Sequence, residues 1–177
     1  MFDPTVFDNL KVAFENQLYD LDNLSGTIRI TGRIDRLEMS TMSREFALQF
    51  ALTDQDTVKA EIRLAASLKD LAAEILEAPG ETPGCTLLLR FLLPVKDIAK
   101  ECAMIEDLLL RIWKPDLPPV QTISFVYGGK HENYMNTVEL QFNRQINEDQ
   151  MRDIPELIEY MLLTLTELSE TFGKDAP

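Results

Sequence analysis

The loop 128–136 carries the only histidine of the chain, so it is the first candidate for chemistry. His131 follows Lys130 in the run Gly-Gly-Lys-His-Glu-Asn-Tyr. On a loop between predicted strands, His131 could act as a general base flanked by Lys130, or the two could help to bind a small molecule. The alternative is a polar hairpin tip whose glycines serve the turn. No nucleophile or orienting carboxylate stands at a spacing that completes a catalytic set. We therefore predict no catalytic residue and keep Lys130 and His131 as binding candidates.

Metal and cofactor motifs are not found in the sequence. One histidine and two cysteines, Cys85 and Cys102, do not make a zinc site or a disulfide framework. Carboxylates cluster at 20–22, 54–56 and 148–153, but turns and helix caps account for them, and no calcium-loop spacing is present. There is no phosphate loop, dinucleotide fingerprint or nucleophile elbow. We expect no metal and no cofactor, and a non-catalytic role is favoured while the enzyme question stays open.

Basic side chains recur at alternate positions in two predicted strands. Arg29 and Arg33 lie on one side of the first strand pattern and Ile28, Ile30 and Ile34 on the other. Lys59 and Arg63 lie likewise opposite an alternating apolar row, Val58, Ala60, Ile62 and Leu64. In simple register the four basic side chains would share one face of a sheet and make it cationic. Such a face could bind an acidic ligand or an acidic helix of another copy. The alternatives are solvation and cover by the acidic C-terminal helix of the same chain.

The net charge limits the kinds of partner. Seventeen basic and thirty acidic residues give −13, with a sequence pI near 4.5. Residues 26–66 carry six charges of each sign, so the whole imbalance lies elsewhere. A strongly anionic surface repels phosphate backbones and anionic lipid, so we expect neither nucleic-acid nor membrane binding. It suits a basic protein partner, or it serves solubility alone.

The hydrophobic periodicity predicts an α+β fold. A mostly antiparallel sheet of about six strands is expected under amphipathic helices, in a single domain covering 1–177. Residues 85–93 are apolar at nearly every position, which is typical of a central strand buried on both faces. The first 25 residues fit either a helix or a strand. The predicted segments are 1–25, the β-meander 26–66, strand–helix units 67–118, the β-hairpin 119–146 and the C-terminal helix 153–172.

Local signals predict where several elements begin, end and pair. Asp3 and Pro4 suit the start of a first helix, and Asp153 suits the cap of the last one. Pro94 is expected to end the strand that starts at Cys85. The hairpin is expected to pair Ile123, Phe125 and Tyr127 with Val138, Leu140 and Phe142.

Apolar residues near the end of the third predicted helix exceed what one buried helix face needs. Leu108, Leu109, Leu110 and Trp113 fall in this stretch. A subunit interface would use the excess, which predicts a homo-oligomer, most simply a dimer. Trp113 is then either a core residue or an interface anchor.

The order of elements, together with the low pI, is similar to that of small acidic secretion chaperones, which dimerise and wrap a client segment. The resemblance is one of element order alone, and the extra predicted helix at 95–112 departs from the usual pattern of that class. The absence of a catalytic constellation in an acidic domain favours a non-catalytic protein-binding or chaperone-like module. Two alternatives stay open: a small-molecule-binding protein or enzyme with a pocket near His131, and an acidic surface for a basic protein. No signal peptide or membrane-length apolar run occurs, so a cytoplasmic location is expected.

Overall fold

A computed structural model describes residues 5–129 and 134–175 and confirms the α+β class. The helices are α1 (Val6–Asn23), α2 (Leu68–Ile75), α3 (Ile98–Trp113) and α4 (Ile154–Phe172). The strands are β1 (Ile28–Glu38), β2 (Ser43–Leu52), β3 (Gln55–Ala66), β4 (Thr86–Val95), β5 (Val120–Ser124) and β6 (Tyr134–Gln141). Two short 3₁₀ helices, Glu148–Asp153 and Gly173–Asp175, flank α4.

The six strands form one antiparallel sheet in the order β1-β2-β3-β4-β6-β5. The first three strands make the predicted meander. The apolar strand β4 pairs with β3 on one side and β6 on the other, so it is interior as predicted. Strands β1 and β5 are the edges of the sheet.

The helices lie on one face of this sheet, which we call the covered face. Its core is built from aromatic and aliphatic side chains of the inner strands and from the apolar stripes of α1, α3 and α4. The opposite surface, which we call the open face, includes the cross-strand row Gln49, Glu61, Arg90 and Glu139. No helix among residues 5–129 and 134–175 packs on this row. The sheet therefore has one apolar side and one side that meets solvent or a partner.

The opening segment is a helix, which settles the choice between helix and strand. Thr5 is the N-cap: its side chain accepts a hydrogen bond from the Asp8 backbone N–H (3.2 Å), and the Asp8 carboxylate accepts from the Thr5 N–H in return. This reciprocal pair is a capping box. The predicted cap at Asp3 and Pro4 falls outside the described residues. The buried stripe of α1 is Phe7, Leu10, Phe14 and Leu18.

Two of the predicted ends and pairings are wrong. Strand β4 continues through Pro94 to Val95, because its pairing with β3 stops at Leu92 and only β6 pairs with it at the proline. An amide N–H is therefore not needed on the other side of Pro94. Strands β5 and β6 form the predicted antiparallel hairpin, but the residue pairs differ, because Ile123 lies opposite Asn136. Strand β5 ends at Ser124, so Phe125 and Tyr127 lie beyond it, and Tyr127 is 97% exposed.

The start of α4 also differs from the prediction. Asp153 stands at the N-cap position, but its side chain makes no capping hydrogen bond. The 3₁₀ helix Glu148–Asp153 runs directly into α4, so Asp153 already has helical backbone angles. The cap of the continuous segment is instead Asn147, whose side chain accepts from the Asp149 N–H (2.8 Å).

Candidate functional site

A cleft of about 260 Å³ opens at one end of the sheet. Three elements form it: the β1–β2 hairpin, the start of α1 and the helix α2, which follows β3 directly. The Glu74 carboxylate of α2 accepts the Val6 N–H of α1 (2.8 Å) and so ties two of the walls together. Most lining side chains are apolar, and they include Val6, Phe7, Leu37, Met42, Leu71 and Ile75. We call this feature the apolar cleft.

Apolar side chains remain in solvent around the apolar cleft. Leu37, Met39 and Met42 of the hairpin are exposed, and Met39 is 70% exposed. Ile75, the last residue of α2, is 67% exposed, and Leu76, the C-cap residue that follows it, is 75% exposed. Methionine is flexible and polarisable, so it adapts its packing to different partners. Exposed apolar side chains that cluster inside a rim of polar groups are typical of surfaces that bind a partner. Single exposed apolar side chains, by contrast, are common on any protein surface.

Carboxylates are the main charged groups of the polar rim. Asp8, Asp70 and Glu74 line the apolar cleft together with a single guanidinium, that of Arg44. Arg44 bonds to Asp8 (2.6 Å), and its guanidinium carbon lies 4.4 Å from the centre of the Phe7 ring. The rim is therefore ordered, and acids outnumber bases in it.

Two of the rim carboxylates have lowered pKa values. Burial alone raises the pKa of Asp8, but hydrogen bonds from Thr5 and Arg44 outweigh it and hold the pKa below the ordinary 3.8. Burial is also the largest single influence on Asp70, and there hydrogen bonds from Ser67 and Gln145 overcome it and lower the pKa. Both groups are capping-box carboxylates, so their charge stabilises the helix starts that frame the cleft.

The lowered pKa of Asp8 predicts how stability changes with pH. A carboxyl whose pKa falls on folding stabilises the native state above its unfolded pKa, and this contribution is lost as pH falls through the folded pKa. We expect Asp8→Asn to lower the free energy of unfolding by about 1 kcal/mol at pH 7, because it removes the charge of a capping-box carboxylate. The difference from the wild type should shrink as pH falls below the ordinary 3.8 and through the lowered pKa of Asp8. Urea titrations across pH measure it, and a difference that persists in acid would contradict the assignment.

The two cysteines are not built as nucleophiles. Burial raises the pKa of the Cys85 thiol to about 12, so it stays protonated at neutral pH although it lines the apolar cleft. Burial also raises the pKa of Cys102. The thiolate is the reactive form of cysteine, so neither thiol is activated. Cys85 fills apolar space in the core, and the Cys102 sulfur accepts a weak hydrogen bond from Asn136 Nδ2 (3.6 Å).

The four basic residues of the meander do not share one face. The register of β1 shifts between Ile30 and Gly32. As a result Arg29 lies opposite Ala51 on the open face, whereas Arg33 lies opposite Leu48 on the covered side and bonds to Glu15 of α1 (2.8 Å). The prediction of a common face is wrong for Arg33. A glycine inside a strand pattern is a known sign of a bulge, and Gly32 was such a sign.

Arg63 does lie on the open face, but acids of the sheet neutralise it. It bonds to Glu61 (2.5 Å) and also to Glu45. The series extends at both ends, because Arg36 bonds to Glu45 (2.5 Å), and Arg90 lies 3.6 Å from Glu61 and 2.6 Å from Glu139. We call this alternating series across five strands the charge ladder: Arg36, Glu45, Arg63, Glu61, Arg90 and Glu139.

The C-terminal helix does not cover the basic side chains of the open face. Helix α4 packs on the covered face through a buried stripe that includes Ile158, Met161 and Leu165. One of its acids, Glu167, pairs with Arg111 of α3 (2.6 Å). The suggested cover by acids of α4 is therefore wrong, and the charge ladder supplies the neutralisation instead.

Trp113 closes the end of α3 against α4. Its indole Nε1 donates to the Thr164 hydroxyl (2.9 Å), and its ring centre lies 5.6 Å from that of Tyr160. Leu109 is fully buried and Leu110 is partly exposed. Leu108, Leu109 and Trp113, which are among the predicted surplus apolar residues of this helix, therefore pack largely inside the chain. Trp113 packs between α3 and α4.

Lys130 and His131, the binding candidates of the loop 128–136, lie outside the described residues. In the described part of the chain, no group of three or more potential metal-ligating side chains comes together. Among those same residues, no helix is long and apolar enough to cross a bilayer.

Sequence reasoning missed the apolar cleft. The signal was present in the turn between the first two strands, where Met39 and Met42 stand among residues that are otherwise polar. Apolar side chains in an exposed turn have no packing role within the hairpin. Such exposed apolar side chains indicate a surface that contacts a partner.

Comparison with known proteins found no matching family model, no matching curated protein and no matching solved structure.

Proposed function

We propose that this chain is a non-catalytic protein-binding module that holds an amphipathic, basic segment of a partner protein in the apolar cleft. The observation that carries the proposal is the cleft itself, apolar in its lining and acidic at its rim. A chaperone-like role, in which a client segment is kept from other contacts, would use the same surface.

The apolar cleft has the shape of a groove that can hold one side of an amphipathic helix. An amphipathic helix presents side chains at positions i, i+3 or i+4 and i+7 along one side, and such a row fits a groove between secondary-structure elements. The hairpin and α2 form two walls of this kind, with Met42 on one and Ile75 on the other. Burying their exposed surface would contribute roughly 25 cal/mol for each Å² removed from water.

The electrostatic part concerns the flanks of the bound segment. The chain carries −13, and Asp8, Asp70 and Glu74 stand at the rim against Arg44 alone. Lysines or arginines beside the apolar row of the partner would be attracted to this rim. An acidic segment of equal hydrophobicity would be repelled, so charge selects among apolar partners.

A direct test uses a model peptide as the probe. A fluorescently labelled peptide with leucines on one helical side and lysines on the other is titrated with the full chain, and anisotropy is recorded. We expect Ile75→Glu to weaken binding by at least tenfold, about 1.4 kcal/mol. The matched control is Leu24→Glu, because Leu24 is 80% exposed at the far end of α1.

The peptide also has controls. A scrambled sequence of the same composition tests whether an amphipathic helix is needed, and a leucine–glutamate version tests the sign of the charge. The proposal is overturned if the scrambled peptide binds equally well, or if Ile75→Glu and Leu24→Glu change the affinity alike.

A further inference from the structure

Strand β4 is apolar on both faces, but helices cover only one of them. Phe91 and its alternate neighbours fill the core, while Leu88 and Leu92 project from the open face on either side of Arg90. Both leucines are only partly buried by the side chains around them. A strand that is apolar on both sides is typical of a sheet with both faces covered. The apolar side chains of β4 on the open face therefore suit contact with another protein surface.

The open face is also nearly neutral. Its strand positions in the described part of the chain carry five bases and five acids, whereas the chain as a whole carries −13. The net negative charge therefore lies on the rest of the molecule. The fifth acid, Asp56 at the start of β3, bonds to Arg29 (3.1 Å). The bases are Arg29, Arg36, Lys59, Arg63 and Arg90, and the acids are Glu38, Glu45, Asp56, Glu61 and Glu139.

We propose that the open face binds a second copy of this chain around a two-fold axis. Two copies that each carry −13 repel one another over most orientations, and the neutral open face is where the repulsion is smallest. In a two-fold interface, residue i of one copy meets residue j of the other and the reverse. The charge ladder alternates in sign, so a suitable offset places each base of one copy against an acid of its partner copy.

The size of the face suits such an interface. Six strands about 4.8 Å apart and roughly eight residues long span about 24 by 27 Å, or about 650 Å² for each copy. Two copies would then bury about 1,300 Å², within the range of specific interfaces. Leu88 and Leu92 would lie near the centre, with the ladder residues around them. This inference concerns a different surface from the apolar cleft and does not depend on the proposed function.

The experiment is size-exclusion chromatography with light scattering on the full chain over a range of concentrations. We expect twice the mass of the chain for the wild type. Leu92→Glu should weaken the dimer by at least tenfold, because it places a carboxylate at the centre of the interface. Leu163→Glu is the matched control, since Leu163 is partly exposed on α4 on the other side of the molecule.

A second variant guards against a folding defect in Leu92→Glu. Thr137 lies opposite Leu92 on the open face and is partly exposed, so Thr137→Lys should also give a monomer, with an unchanged circular dichroism spectrum. A monomeric wild type would overturn the proposal. It would also be overturned by a dimer that Leu163→Glu breaks while Leu92→Glu and Thr137→Lys leave it intact.

Discussion

Replacing Phe91 with alanine is expected to lower the free energy of unfolding by about 3–5 kcal/mol. Phe91 is fully buried on the interior strand β4, between Ala60 of β3 and Val138 of β6. Both cross-strand neighbours are smaller, so neither can fill the space that the ring leaves. The loss combines the transfer free energy of the ring with the cost of the cavity. Urea or thermal unfolding followed by circular dichroism measures it.

The control for Phe91 is an apolar residue of the same sheet that is not in the core. Val120 is 45% exposed on the edge strand β5, and Val120→Ala should change the unfolding free energy by less than about 0.5 kcal/mol. Equal effects of the two substitutions would mean that the core is not centred on β4.

The second large effect is expected at Glu61, the middle of the charge ladder. Glu61 is only 7% exposed and lies between the guanidinium groups of Arg63 and Arg90. Glu61→Gln keeps the shape of the side chain but removes its charge, and leaves two partly buried arginines without their shared acid. We expect a loss of about 1.5–3 kcal/mol in unfolding free energy, since hydrogen bonds between charged groups are the strong ones.

A matched substitution at the end of the ladder separates this effect from a general loss of surface charge. Glu139 pairs with Arg90 alone among the described side chains, so Glu139→Gln should cost less than about 1 kcal/mol. The loss at Glu61 should also change little with added salt, because buried pairs are screened less than exposed ones. If Glu61→Gln and Glu139→Gln lower the unfolding free energy equally, the idea that Glu61 is the buried centre of the charge ladder is wrong.

Much of the fold follows from periodicity along the chain. The meander, the interior position of β4 and the apolar stripe of α4 were all predictable, because each is a long segment with one clear period. The errors arose where a single residue changes the pairing. One extra residue near Gly32 moves Arg33 to the covered side, and the end of the β3–β4 pairing at Leu92 allows a proline inside a strand.

The candidate site was harder to predict than the fold. The apolar cleft brings together residues 5–8, the turn after Leu37 and the helix α2, and no periodic pattern links segments so far apart. Only the exposed methionines of the hairpin gave a local sign. The charge ladder likewise depends on cross-strand register, which one bulge alters. Charges that looked like a cationic patch in sequence proved to alternate with acids in space.

The two proposed surfaces have different roles: the apolar cleft binds a partner segment, and the open face binds a second copy of the chain. The apolar cleft lies at one end of the sheet and is acidic at its rim, whereas the open face is nearly neutral and suits a second copy. A dimer of this kind would carry two clefts. Two linked binding sites raise the avidity for a partner that presents two segments, provided that its linker can span both clefts.

The most direct test of the protein-binding account is backbone hydrogen exchange, followed by mass spectrometry, with and without the leucine–lysine peptide. The account predicts that the peptide slows exchange in the hairpin around Met39 and Met42 and in α2, while β5 is unchanged. Slowing confined to other parts of the chain would contradict it. So would a saturating peptide that leaves exchange in the hairpin and α2 as it was.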